Sequence, residues 1–337
     1  MFKRILIVLE PHLHPGAVLR HGLALARTCL SDVVFFTRLS EPRQSVSGLP
    51  GEQLPLQGDP LHDERLRAER LHAHAHRTAE GLGVLSRSVV ATTGSAERGI
   101  LDAAKSGRCD AIVVSCDGSN AWQRLVNGSV IPGLVSASPV PVMVCAPLPS
   151  TGGGPDSGLN RILVVLEDSD MHQVARRRGL ALAQKLAAGL LFVHVTPSDV
   201  APMVDVSGLV AGSSDMLAEA IRVQSQRLLA SACTVAARAG LKARGMNLPA
   251  GATAKDIAQL SLDQGCGLAV VSHRSSNAVM RLLTGNLVPG LITSAVTPVL
   301  ICREAEAPPR RHAPRRRHHR HRVAAAGAAR AACSPDH

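Results

Sequence analysis

The chain has 337 residues, which is long for one domain and suits two domains of about 150 residues each. Apolar residues make up 45% of it, yet it has four Phe, one Trp and no Tyr, so its cores must consist of Val, Leu, Ile and Ala, as in parallel sheets covered by helices. No apolar run approaches the roughly 18 residues of a membrane span, and the eight cysteines form no short-spaced framework, so we expect no membrane insertion, reduced thiols and a cytoplasmic location.

Short apolar runs typical of buried strands alternate along the chain with segments of helical period. In the first part of the chain the predicted strands are Ile5–Leu9, Val33–Phe36, Val89–Ala91, Ala111–Val114 and Val140–Cys145, and the predicted helices are 16–30, 61–83, 95–106 and 129–138. This alternation predicts an α/β fold, a five-stranded parallel open sheet with helices on both faces. Ligands of such sheets lie beyond the carboxyl ends of the strands, where the strand order reverses.

The same pattern returns at a constant offset of 157 residues. The segments that recur include Arg4–Glu10 as Arg161–Glu167, Gly22–Ala26 as Gly179–Ala183, and Pro141–Cys145 as Pro298–Cys302. Agreement at one offset from end to end indicates a duplication. We therefore expect two tandem domains, 1–147 and 159–303, joined by a Gly- and Pro-containing linker over 148–158.

The net charge of +11 is concentrated at the C-terminal end, because nine Arg and three acidic residues follow from Arg303 onward. Residues 304–337 have no apolar period and are expected to form a disordered basic tail. Such a tail either contacts nucleic acid or an acidic membrane surface non-specifically, or is only a solubilising extension. No aromatic residue is interleaved for base stacking, which disfavours sequence-specific reading of bases.

The loop after the fourth predicted strand is the best candidate for a binding site. Ser115 is followed after two residues by Gly118, and after nine more by Gly128 and Ser129, at the start of a predicted helix. Small residues let a backbone approach phosphates closely, and the amides at a helix start point at anionic oxygens. A strand-to-helix turn that needs glycine for geometry alone is the alternative explanation.

This spacing resembles the G-x2-G-x9-G-(S/T) motif of the universal stress protein family, and the chain as a whole is similar to a tandem member of that family. The resemblance implies the adenine-nucleotide alpha-hydrolase-like fold and places the phosphates of ATP against Ser115, Gly118, Gly128, Ser129 and the amide of Val130. It also places Glu10 where nucleotide-binding members usually have Asp, and Arg38 where a backbone group meets the adenine. Ser115 and Glu10 depart from the family pattern.

The second copy keeps less of the motif. The resemblance places its site at Ser272, Ser275, Gly285 and Asn286, together with Glu167 and Val195. Only Gly285 remains of the three glycines, although Asn286 is able to cap a helix and His273 and Arg274 would attract phosphate. We therefore expect nucleotide binding mainly in the first domain.

Clusters of histidine and cysteine have simpler interpretations than metal or redox sites. His62, His72, His74 and His76 lie in a predicted helix, where a solvated face is favoured over a zinc site. Cys145 and Cys302 lie in predicted closing strands and are expected to behave as small apolar residues. No Walker loop, nucleophile elbow or metal-hydrolase His pair occurs, so neither a metal site nor an enzyme is expected.

The resemblance implies a cytoplasmic stress-response protein that binds ATP or a related adenine nucleotide as a ligand and acts through partner proteins not yet identified. Two alternatives stay open: an interaction protein of the same fold that binds no nucleotide, and a slow nucleotide hydrolase. The two closing strands are expected to pair the domains about a pseudo-twofold axis, and a homodimer is a further expectation.

Overall fold

Two sets of five strands alternate with helices in the computed structural model, which describes residues 2–10, 15–39, 60–92, 94–116, 130–145, 158–166, 172–196, 211–273, 290–291 and 297–303. We call the first set repeat one: β1 Arg4–Val8, α1 Gly16–Cys29, β2 Asp32–Arg38, α2 Pro60–Gly81, β3 Ser86–Ala91, α3 Ala96–Ser106, β4 Ala111–Ser115, α4 Val130–Ala137 and β5 Val142–Cys145. Repeat two comprises β6 Arg161–Leu166, α5 His172–Leu186, β7 Gly189–Val195, α6 Ala211–Arg238, β8 Ala243–Leu248, α7 Ala254–Asp263, β9 Leu268–His273 and β10 Val299–Arg303.

The strands form one sheet of ten, in the order β3-β2-β1-β4-β5-β10-β9-β6-β7-β8. Within each repeat the described strands pair in parallel, which confirms the predicted fold class. In repeat one the chain moves outward from β1 to β2 and β3, then returns to add β4 on the other side of β1. The strand order therefore reverses between β1 and β4, where sheets of this kind bind their ligands.

The two repeats meet at the closing strands, as expected from their sequence likeness. β5 and β10 pair antiparallel, with Met143 opposite Leu300. These two residues are equivalent at the repeat offset, so a local twofold axis passes through this pair. Because the repeats run in opposite directions across this junction, their carboxyl ends lie at opposite edges of the shared sheet.

Helices cover both faces of the sheet, and each apolar face runs through both repeats. Alternate strand residues such as Ile5 and Ile7 face α1, α2, α5 and α6, whereas Leu6 and Val8 face α3, α4 and α7. Burial on both faces explains why the strands are continuous apolar runs in the sequence. None of the helices within the described ranges is both long and apolar enough to cross a membrane.

The first helix of each repeat packs closely on its first strand through a glycine. A Cβ atom at Gly22 would lie 2.8 Å from Ile7 Cδ1, and one at the equivalent Gly179 would lie 2.5 Å from Val164 Cγ2. Both distances are too short for a stable carbon contact, so glycine is what allows this approach. The recurrence of the same contact shows that the duplication extends to the packing of the core.

One strand, β3, begins three residues earlier than the sequence predicts. β3 starts at Ser86 rather than Val89, because Ser86, Arg87 and Ser88 are polar yet pair with β2. β3 is an edge strand, and one side of an edge strand faces solvent or a polar neighbour. A search for apolar runs therefore missed the first half of β3.

Candidate functional site

Three predicted site residues of repeat one lie at the carboxyl edge where the strand order reverses. The N–H of Leu9 donates to the carbonyl of Phe36 at 2.7 Å, and Glu10 follows directly beyond this bond. Arg38 ends the neighbouring β2, and Ser115 ends β4 on the other side of β1. All three residues are half-buried and lie at the ends of three adjacent strands.

The helix predicted to receive phosphate begins beside this edge. α4 starts at Val130, one residue after the predicted start at residue 129, and packs on α3. A Cβ atom at Gly133 in α4 would overlap the position that the Glu97 carboxylate of α3 occupies. Gly118, Gly128 and Ser129, which complete the predicted phosphate loop, lie outside the described residues.

The equivalent edge of repeat two is built from different side chains. Val195 ends β7, and Ser272 lies near the end of β9 with 2% of its surface exposed and with no hydrogen-bond partner for its hydroxyl among the described residues. Where repeat one has Glu97 against Gly133, repeat two has Ala254, whose Cβ would be 2.6 Å from a Cβ at Gly290. The predicted residues Glu167, Ser275, Gly285 and Asn286 lie outside the described residues.

Comparison with known proteins settles the family. A family model described as the universal stress protein family matches residues 1–146 and again residues 158–303. The chain belongs to this family. It is a tandem member, with two universal stress protein domains in one polypeptide.

Solved structures show the same fold. A universal stress protein from Archaeoglobus fulgidus matches with a TM-score of 0.62 and 15% identity, covering 90% of this chain and 97% of that chain. A functionally unknown protein from Pseudomonas aeruginosa PAO1 matches with a TM-score of 0.59 and 15% identity, covering 90% and 92%. At this identity the likeness shows the fold alone. A search of curated protein sequences finds no match.

The cysteines of this universal stress protein are packing residues in the described part of the chain. All seven described cysteines are free thiols, and Cys145 and Cys302 are almost fully buried in the closing strands. Burial raises the pKa of Cys302 to about 12 and raises the pKa of Cys145 well above its usual range. Such thiols stay protonated and unreactive at neutral pH. Within the described ranges no group of three or more His, Cys, Asp or Glu residues is placed to hold a metal ion.

The helix histidines are placed differently from the sequence interpretation. His62 and His74 are exposed, but His72 is only 6% exposed and His76 is half-buried. The interpretation of a solvated face is therefore wrong for His72 and His76, which contact the serines of β3. A signal was present in the sequence, because the buried stripe of α2 consists of Ala68, Ala75 and Ala79, and these two histidines share its period.

Proposed function

We propose that this universal stress protein binds an adenine nucleotide, ATP or a relative of it, at the carboxyl edge of repeat one. The observation that carries the proposal is the reversal of strand order between β1 and β4, with Glu10, Arg38 and Ser115 at that edge. Parallel α/β sheets take their ligands at this place. We propose further that the nucleotide is a bound ligand and that the protein acts through partner proteins in a cytoplasmic stress response.

Groups that attract anions at this edge support a phosphate-bearing ligand. α4 begins at Val130, and the first amides of a helix have no acceptor within the helix and carry a partial positive charge. Gly128 and Ser129 precede this helix in the sequence, and they are the residue types that let a phosphate approach backbone amides. Arg38 adds a cationic side chain at the end of β2.

Repeat one is the better candidate of the two. It keeps two of the three glycines of the motif, Gly118 and Gly128, and the hydroxyl residue Ser129 after them. Its carboxyl edge also has Arg38 where repeat two has Val195. Repeat two keeps one glycine and lacks the hydroxyl residue after it. We therefore propose one dominant nucleotide site in each chain.

Calorimetric titration of the full chain with ATP, ADP and AMP, with GTP as the control, tests this proposal. We expect saturable binding of an adenine nucleotide with a stoichiometry near one, and mass spectrometry of ligands released from the purified protein should identify the same compound. Absence of binding for every nucleotide would favour an interaction protein of the same fold. Release of phosphate from ATP above the buffer rate would show instead that the bound nucleotide is a substrate.

A further inference from the structure

A continuous chain of hydrogen bonds joins α2 to the sheet in repeat one. Its contacts, from the edge strand inward, are Ser86 Oγ to His76 Nδ1 at 2.7 Å, His76 Nε2 to Ser88 Oγ at 2.7 Å, Ser88 Oγ to His72 Nδ1 at 2.5 Å, His72 Nε2 to Thr37 Oγ1 at 2.7 Å, and Thr37 Oγ1 to the Leu9 carbonyl at 2.9 Å. Thr37 is 0% exposed. The inner end of the chain is therefore shielded from water.

The proton positions between Leu9 and His76 Nε2 follow from the inner end of this chain. A carbonyl only accepts, so the single Thr37 hydroxyl proton goes to Leu9, and Thr37 must accept from His72 Nε2–H. His72 Nδ1 is then an acceptor, which requires Ser88 to donate to it. Ser88 has no second proton, so His76 Nε2–H donates to Ser88. His72 is thus a neutral Nε2–H tautomer.

Repeat two shows that the fold does not require this chain. At the repeat offset, His72, His76 and Ser88 correspond to Leu229, Cys233 and Gly245. These three positions are again in contact, because a Cβ atom at Gly245 would lie 3.1 Å from Leu229 Cβ and 3.5 Å from Cys233 Sγ. An apolar contact therefore joins the long helix to the edge strand in repeat two, where repeat one uses titratable groups.

Protonation of His72 would break the order of the chain. The Nδ1 atom of His72 would become a donor and would no longer accept the hydroxyl proton of Ser88. A positive charge would also enter a buried position. Burial, and then the neighbouring His76, lower the pKa of His72. The packing of α2 on the sheet therefore stabilises the neutral form of His72.

The charged groups around α2 do not offset this preference. α1 packs on α2 and has no acidic side chain, and its ionisable nitrogen groups are Arg20, His21 and Arg27. On the strands, Arg38 and Arg87 are cationic, and Asp32 pairs with Arg4. On α2 itself, Glu69 pairs with Arg65 and Glu80 is exposed. The ring of Phe35 packs edge-on to His76, 5.3 Å between centroids.

We propose that this hydrogen-bonded chain is an acid-sensitive clamp that holds α2 on the sheet of repeat one and releases it when His72 takes a proton. The direction follows from linkage: a histidine that is harder to protonate in the closed state stabilises that state above its free pKa of about 6.5, and this stabilisation is lost as the pH falls. Acidification therefore opens α2, whereas neutral pH closes it.

The clamp also ends beside the proposed nucleotide site. Thr37 immediately precedes Arg38, and Leu9 immediately precedes Glu10. Release of α2 would thus disturb that edge of repeat one, a consequence that rests on the proposed function. The clamp itself is tested without nucleotide, so its failure and the failure of nucleotide binding are distinguishable.

Hydrogen exchange of the full chain measures the opening of α2. Between about pH 7.5 and pH 5.0, the opening equilibrium derived from α2 protection factors should rise by up to about thirtyfold, the ratio set by a free histidine pKa of about 6.5. The triple variant His72→Leu, His76→Cys, Ser88→Gly copies the apolar contact of repeat two and should be nearly independent of pH. α3, which has no histidine and packs on the opposite face of the sheet, is the internal control.

A second variant and a second measurement keep the test decisive if the triple variant does not fold. His72→Gln keeps a donor and an acceptor but does not titrate, so it should also remove the pH dependence of α2. Nitrogen chemical shifts should report the Nε2–H tautomer for His72 at neutral pH. Equal pH profiles of α2 in the wild-type protein and His72→Gln, or an Nδ1–H tautomer at His72, would overturn the proposal.

Discussion

Repeat one and repeat two have the same strand order but differ in how their long helices contact the edge strands. α2 meets β3 through His72, His76 and Ser88, whereas α6 meets β8 through Leu229 and Cys233 packed over a glycine. Repeat two has its own buried histidine, but it comes from the strand: His194 Nδ1 lies 3.0 Å from Asn247 Oδ1. The two copies have therefore kept their apolar strands and changed the polar groups around them.

Comparison of the repeats distinguishes the residues that both copies keep from the polar residues that differ between them. Both repeats keep the glycine that lets the first helix approach the first strand and the apolar residues of the closing strands. Polar groups of repeat one such as Glu97 and Asp110 are replaced in repeat two by Ala254 and Gly267. The fold of a repeat therefore does not require anionic groups at these positions.

The largest expected difference between the repeats is in nucleotide binding. Gly128→Val should weaken binding by very roughly tenfold to a hundredfold, because a branched side chain in the loop holds the phosphate away and removes a charge-assisted hydrogen bond of about 1.5–3 kcal/mol. Gly285→Val in repeat two should change little. Calorimetric titration of both variants measures the effect, with their thermal unfolding as the control. Equal losses from the two substitutions would remove the asymmetry between the repeats.

Helix packing should distinguish the repeats by a smaller amount. An added methyl at Gly179 meets the stiff, fully buried Val164, whereas one at Gly22 meets the end of the more flexible Ile7 side chain. Overpacking costs about 1–3 kcal/mol and helix propensity returns about 1 kcal/mol. We expect Gly179→Ala to lose about 1–2 kcal/mol of unfolding free energy and Gly22→Ala to lose less, measured by urea denaturation. The reverse order would show that side-chain flexibility does not set the cost.

An anchor present only in repeat one should have a still smaller effect. The Asp110 carboxylate accepts from the N–H groups of Lys3, at 2.8 Å, and Arg4, at 3.1 Å, where repeat two has Gly267. Asp110→Ala removes these acceptors at a partly exposed site and should lower the unfolding free energy by about 1 kcal/mol. Asp102→Ala, at an exposed position of α3, is the matched control and should stay within about 0.5 kcal/mol of the wild-type protein. A loss as small as the control's would mean that water replaces the carboxylate.

The smallest effect is expected from the basic tail, which has no counterpart after repeat one. Truncation after Arg303 should leave the melting temperature within a few degrees, because the tail has no periodic apolar face with which to dock. Differential scanning calorimetry measures this, and a broad transition in the truncated chain would contradict it.

The pairing of the closing strands was expected from the family resemblance together with their likeness between the repeats, whereas the sequence by itself determined the duplication and the order of strands and helices. These features depend on apolar period and on residue identity at one offset, and both are local or directly comparable along the chain. Ile5–Leu9 reads as a buried strand because both of its faces are covered, and no knowledge of its neighbours is needed for that inference. Of the predicted site, Glu10, Arg38 and Ser115 lie at one edge of the sheet, and their role in binding a nucleotide stays a prediction.

Tertiary structure alone decided which polar groups are buried and with whom. Helical period shows that His72 and His76 share a face, but it does not show that Ser86 and Ser88 of an edge strand lie opposite that face to satisfy both rings. The environment of an imidazole is set by the strand that packs on it, and its partners in β3 are ten to sixteen residues away. Hydrogen-bond partners on a separate element leave no periodic trace in the sequence. Buried polar pairing is a property of two surfaces, and each segment of the sequence describes only one of them.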